Sequence, residues 1–188
     1  DFDGNGSTET IVCNYKNGAY YPILSFNELA SQIVSLKKKF STYKSFAGKS
    51  IEDIFENSIL KKATILEVQI LASGYLKNDH NTFTFIPFKN ELQVSPISSF
   101  LKYDFNNDGK NEVLVAGNYF GVTPFHGRFD SFPGAMIYNQ FQIELGNTLG
   151  LDFSQKAVKK LSIITLKRKP YLLTTINNDA AQVYQLIK

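Results

Sequence analysis

The sequence predicts a mainly β fold, a partial β-propeller with a short helical insertion. Three observations point there. Short apolar stretches of alternating character recur between turns rich in Gly, Asn and Asp. One region, 26–62, changes to helical periodicity. A nine-residue pattern occurs twice, as Asp1-Phe2-Asp3-Gly4-Asn5-Gly6-Ser7-Thr8-Glu9 and as Asp104-Phe105-Asn106-Asn107-Asp108-Gly109-Lys110-Asn111-Glu112. An internal repeat in a β background is the mark of a propeller or another β array. The copies start 103 residues apart, whereas blade-like repeats recur at roughly 40–50 residues. The interval therefore holds two blades, or one blade and the helical insertion.

The elements follow in chain order. Asn17-Gly18 is a hairpin dipeptide between strands at 11–15 and 19–24. Ser25 with Glu28 is a capping box, and Leu29, Ile33, Leu36 and Phe40 recur at helical spacing behind it. Ser50 with Asp53 starts a second helix, closing the insertion near 62. A strand is predicted over 64–75 and another over 81–87, joined by the polar turn 77–80. Further strands are predicted at 92–101, 112–117, 136–144, 161–167, 171–177 and 182–187. The whole of 1–188 reads as the C-terminal portion of a propeller domain, with 26–62 inserted in it. Because the chain opens inside a motif, it is expected to be part of a longer protein that supplies the rest of the ring upstream.

The repeated pattern carries the chemistry. Oxygen side chains stand at positions one, three, five and nine, Gly stands at six, and position seven offers a carbonyl. Alternate side chains of such a loop point inward and wrap a hard cation, of which Ca²⁺ takes about six to eight oxygens. An EF-hand loop differs in two ways: it ends on a Glu at position twelve and lies between helices. Here the last carboxylate comes at position nine and extended sequence follows. Each copy thus reads as a metal-bound turn between strands. The metal-free alternative is a pair of Asn/Asp/Gly-rich hairpin turns.

Bulk composition excludes several classes. The net charge of +3 is too small to mark a polyanion binder, and Arg occurs only as Arg128 and Arg168. Nucleic acid is therefore not expected as a partner. The lysine cluster Lys37-Lys38-Lys39 reads as a solvated helix face. The single Cys13, in an apolar run, excludes both a disulfide framework and a Cys-ligated zinc site. No apolar run approaches the ~18 residues of a membrane span.

The two loops, followed by Glu112-Val113-Leu114-Val115-Ala116-Gly117-Asn118-Tyr119-Phe120-Gly121-Val122 and by Gly127-Arg128-Phe129-Asp130, resemble the FG-GAP or VCBS repeats of integrin-like β-propellers. The similarity is greater to the C-terminal region of bacterial proteins that carry these repeats, and it extends to Ser50-Ile51-Glu52-Asp53-Ile54-Phe55 in the insertion. The resemblance implies one Ca²⁺ per loop. Its ligands would be Asp1, Asp3, Asn5, the Ser7 carbonyl and Glu9 in the first copy. In the second they would be Asp104, Asn106, Asp108, the Lys110 carbonyl and Glu112. Asn5 and Asn106 stand where carboxylates are possible, which lowers the charge and with it the affinity. Exported or surface-attached proteins are common in the group, so an extracytoplasmic location is expected.

A second candidate region is the aromatic loop after the second copy. Asn118, Tyr119, His126, Arg128 and Asp130 are its ligand-binding candidates, for carbohydrate or protein. The structural alternative is an Arg128–Asp130 pair with Phe packed into the blade. Ser131, His126 and Asp130 are too close in sequence to give triad geometry, and no G-x-S-x-G is present. The expected function is a non-enzymatic, calcium-binding propeller module that binds or scaffolds. The alternative is the propeller scaffold of a polysaccharide-acting enzyme.

Overall fold

The computed structural model describes residues 1–123, 127–139 and 142–186. It is mainly β, built as several small antiparallel sheets, and it divides into two compact units, Asp1–Gln69 and Ile70–Lys188.

In the first unit the Asp-rich loop leads into a hairpin of β1 (Cys13–Lys16) and β2 (Ala19–Pro22). Asn17 and Gly18 turn it with φ of 52° and 84°, the left-handed pair that matches the strand twist. Five short helices follow inside the predicted insertion: α1 (Phe26–Gln32), α2 (Leu36–Lys39), α3 (Tyr43–Phe46), α4 (Ile51–Ile54) and α5 (Asn57–Leu60). Ser25 and Ser50 form the expected capping boxes with Glu28 and Asp53, and Thr42 forms a third with Ser45. The apolar positions at helical spacing, Leu29, Ile33, Leu36 and Phe40, are all buried, joined by Ala30, Ile54 and Phe55. Phe2 of the loop packs on this core, its ring 4.7 Å from that of Phe55.

Among the described residues the second unit holds three sheets. The hairpin of β3 (Gly74–Asp79) and β4 (Thr82–Pro87) stands as one two-stranded sheet. A four-stranded meander runs β5 (Ile97–Tyr103), β6 (Glu112–Gly117), β7 (Ala135–Ile137) and β8 (Ile143–Leu145). A three-stranded sheet has β10 (Lys169–Ile176) between β9 (Val158–Leu166) and β11 (Gln182–Gln185). The inner strands of the meander, β6 and β7, are buried on both faces. Leu114, Ala116 and Met136 pack with Val158, Leu161, Leu172 and Ile176 of the other sheet, while Val115, Ala135 and Ile137 pack with Leu92 and Phe132. This is why β6 reads Val-Leu-Val-Ala without polar alternation. Ser98 Oγ donates to the Val158 carbonyl, and Ser99 Oγ accepts from Leu161 N at 2.9 Å, tying β5 to β9.

Four local expectations change. The strand predicted over 64–75 forms only from Gly74 onward. Residues 66–70 alternate, but no strand pairs with them among the described residues, and Leu66 and Leu71 are 89% and 92% exposed. Periodicity records which way side chains point; it does not supply a hydrogen-bonding neighbour. The turn predicted over 77–80 shrinks to His80 and Asn81, both left-handed, so the ladder runs out to Asp79↔Thr82. The strand predicted over 136–144 is instead the β7–β8 hairpin, with Tyr138 N donating to the Gln142 carbonyl at 2.9 Å. Finally, β5 begins at Ile97, because Asn90–Leu92 coil into one turn of 3-10 helix.

Candidate metal centre

Both copies of the repeated pattern fold into the same hydrogen-bonded loop. In the first, Asp1 accepts from Asn5 N at 2.9 Å and from Gly6 N at 3.0 Å. In the second, Asp104 accepts from Asp108 N at 3.1 Å and from Gly109 N at 3.0 Å. Position three accepts from the amide of position five, at 3.2 Å for Asp3 and 2.9 Å for Asn106. Position five accepts from position seven, at 2.7 Å for Asn5 and 2.8 Å for Asp108. Position nine reaches back to the amide of position two: Glu9 to Phe2 N at 2.8 Å, Glu112 to Phe105 N at 2.9 Å. Positions four and six are left-handed in both copies. Gly4 and Gly6 have φ of 76° and 87°, and Asn107 and Gly109 have 62° and 84°. Gly at six follows from that backbone, and Asn is the non-Gly residue best able to adopt it at four.

The shared network says what the side chains do for the backbone. It leaves open what relieves their charge. In the first loop Asp1, Asp3 and Glu9 each place an oxygen so that all three lie within 4.8 Å of one another. The Glu9 side chain is 5% exposed. In the second loop Glu112 is 3% exposed. Among the described residues no Lys or Arg forms an ion pair with Asp104, Asp108 or Glu112. Of the carboxylates in the two loops, the Glu9 and Glu112 side chains are the ones withdrawn from solvent, and each accepts a backbone hydrogen bond. Both donor sets are oxygen only, which fits a hard cation such as Ca²⁺ and not a soft one.

The sequence did not show what flanks the second loop. Asn106, Asp108 and Glu112 line a polar cavity of about 320 Å³ together with Tyr138, Asn139, Gln142 and Glu144. Tyr138 donates its hydroxyl to Glu144 at 3.0 Å. Burial in the first place, then that hydrogen bond and the nearby charges of Glu144 and Glu112, push Tyr138 up to about 12. Glu144 thus adds a carboxylate to the surroundings of the loop. The β7–β8 hairpin brings it there, and the spacing of a nine-residue motif could not reveal a residue so far along the chain.

The aromatic-loop candidates separate. Asn118 is 2% exposed and its side chain is fully committed to backbone. Its Nδ2 donates to the carbonyls of Phe132, Phe153 and Lys156, and its Oδ1 accepts from Phe132 N. That makes it a fastener of three loops. Tyr119 pairs backbone to backbone with Phe129 and is 43% exposed, with Lys159 Nζ 5.9 Å from its ring centre. The expected Arg128–Asp130 pair is absent; the Arg128 guanidinium stacks 5.1 Å over Phe120 instead. Asp130 offers its carbonyl to Gln155 N at 2.7 Å. His126 lies outside the described residues. In the lysine cluster Lys37 and Lys38 are exposed, while Lys39 Nζ donates to the Asp53 and Ile54 carbonyls at 3.0 and 2.8 Å. It thereby satisfies the end of α4.

No protein-family model matches the chain, and no curated protein or solved structure matches it significantly. Among the described residues no helix is long and apolar enough to cross a membrane.

Proposed function

We propose that the chain is a calcium-binding β-repeat module, part of an FG-GAP/VCBS-type propeller, that serves as a non-catalytic binding or scaffold region of an exported or cell-surface protein. One observation carries the reading: two segments 103 residues apart, in different compact units, adopt one hydrogen-bonded loop with oxygen-bearing side chains at the same positions. Asp1, Asp3, Asn5, Glu9 and the Ser7 carbonyl would hold the first ion. Asp104, Asn106, Asp108, Glu112 and the Lys110 carbonyl would hold the second. With Asn at one of the donor positions in each loop, affinities of roughly 10⁻⁴–10⁻³ M are expected, suited to Ca²⁺ concentrations outside the cytoplasm. Bound Ca²⁺ would anchor the turn from which β6 departs, and the neutralised loop would leave the exposed Tyr119 and Phe129 surface as the place for a protein or carbohydrate ligand.

Thermal denaturation tests the cation directly. At Ca²⁺ a hundredfold above the dissociation constant, the folded form gains about 2.7 kcal/mol per site. The melting temperature should rise by several degrees over that in excess chelator, and Asp104→Ala should abolish part of the rise. A melting curve indifferent to both Ca²⁺ and chelator would defeat the proposal.

A further inference from the structure

The small net charge conceals a segregated one. From Phe153 to Asn178 the chain holds Lys156, Lys159, Lys160, Lys167, Arg168 and Lys169 and no acidic residue. This stretch contains the β9–β10 hairpin, and among the described residues none of these cations forms an ion pair. Lys167, Arg168 and Lys169 stand together and exposed at the hairpin tip. Leu166 pairs with Lys169, so Lys167 and Arg168 are the whole turn, and both are left-handed, with φ of 49° and 63°. Asn-Gly adopts such a turn readily, as Asn17-Gly18 does between β1 and β2. Long side chains adopt it under strain. Strain held at one turn, with two cations as its product, points to a role for the tip.

The sheet behind the tip carries apolar side chains on both faces. Its register puts Val158, Leu161, Leu172, Thr174 and Ile176 on the face packed into the core, where each is at most 9% exposed. On the other face Ile164 stands beside Tyr171, Leu166 beside Lys169, and Leu173 beside Val183. None of these six is buried, and Leu166 and Val183 are 46% and 49% exposed. The one acidic residue of the sheet region, Asp179, lies in the β10–β11 turn, at the end away from the tip. A soluble polyanion asks only for cations. Apolar side chains set beside unpaired cations match a lipid interface, where the cations meet anionic headgroups and Leu and Tyr settle at the boundary with the acyl chains. We propose that the β9–β10 tip docks on an anionic lipid surface. Lys167, Arg168 and Lys169 lie against the headgroups, and Leu166 and Tyr171 enter the interface. The docking uses none of the loop residues proposed to hold Ca²⁺, so failure of Ca²⁺ binding leaves it standing.

The test is co-sedimentation of the full chain with vesicles of mixed phosphatidylcholine and phosphatidylglycerol, and with vesicles of phosphatidylcholine alone. Binding is expected to the anionic vesicles only, and it should weaken as salt rises. The double variant Lys167→Asn/Arg168→Gly removes two cations and gives the turn the residues it favours. Its binding should weaken by about thirtyfold, while its melting temperature holds or rises. Leu166→Ser leaves the charge unchanged and should weaken binding several-fold, because less apolar surface enters the interface. Equal binding to the two kinds of vesicle, or unchanged binding in either variant, would overturn the proposal. So would absence of binding to the anionic vesicles, including the case in which the chain binds dextran sulfate, a soluble polyanion, instead.

Discussion

Position nine of each loop shows how a residue can serve backbone and charge together. Glu9 and Glu112 each hold the amide of position two, and that residue is a Phe whose ring enters the adjoining core. The carboxylate is thereby fixed at the mouth of the loop. Tyr138 reports on this charged corner. Its pKa in the folded protein, about 12, lies above the ~10 of an unfolded tyrosine. Its neutral form is therefore favoured by folding. The resulting stability is fully present below about pH 10 and is lost as the pH rises through about 12. Between those limits the melting temperature of the natural chain should fall faster than that of Tyr138→Phe. Parallel curves for the two proteins would show that the phenol is not held as described. At this scale the two copies were legible as one repeated turn, because the spacing of their oxygen side chains is strict. Asn118 was legible as a special residue and misplaced as to role. Its left-handed φ of 77° and its four backbone partners come from segments far apart in sequence, which no local pattern encodes.

Elements were most legible where the local chemistry is self-sufficient. The Ser25 and Ser50 boxes and the Asn17-Gly18 turn need only their own neighbours, and each formed as expected. The Thr42 box escaped notice because Ser45 stands where Glu or Gln is usual. Strand limits were less legible, since a strand exists only through its partner. Residues 66–70 have the alternation but no paired strand among the described residues, and His80-Asn81 turn two residues more tightly than polarity alone implies. The β5–β6 pair depends on one close approach. A Cβ on Gly117 would fall 1.9 Å from the Pro96 carbonyl oxygen and 2.9 Å from the Ile97 Cα. Those are backbone atoms, so the strands must part at the point where Asn118 N bonds Pro96. Gly117→Ala should therefore lower stability by roughly 2–4 kcal/mol, in the range of buried strain and lost packing. Urea denaturation would measure it, and a change below about 0.5 kcal/mol, typical of a surface site, would contradict the close packing.

At the scale of the molecule the mainly β architecture and the helical region at 26–62 were both visible in the sequence. The division at Gln69 was not, because no Pro- or Gly-rich linker marks it. The four-stranded meander β5–β8 carries the second loop between its first two strands. Each compact unit carries one loop, so the proposed ions report on the two units separately. The central claim is that the repeat binds Ca²⁺ twice. It is tested most directly by following the backbone amides of Gly6 and Gly109 by NMR during a Ca²⁺ titration of the full chain. The account predicts saturable shifts of both amides with dissociation constants of roughly 10⁻⁴–10⁻³ M, and loss of the Gly109 response alone in Asp104→Ala. Two amides that stay unmoved up to about 20 mM Ca²⁺, well beyond that range, would contradict it.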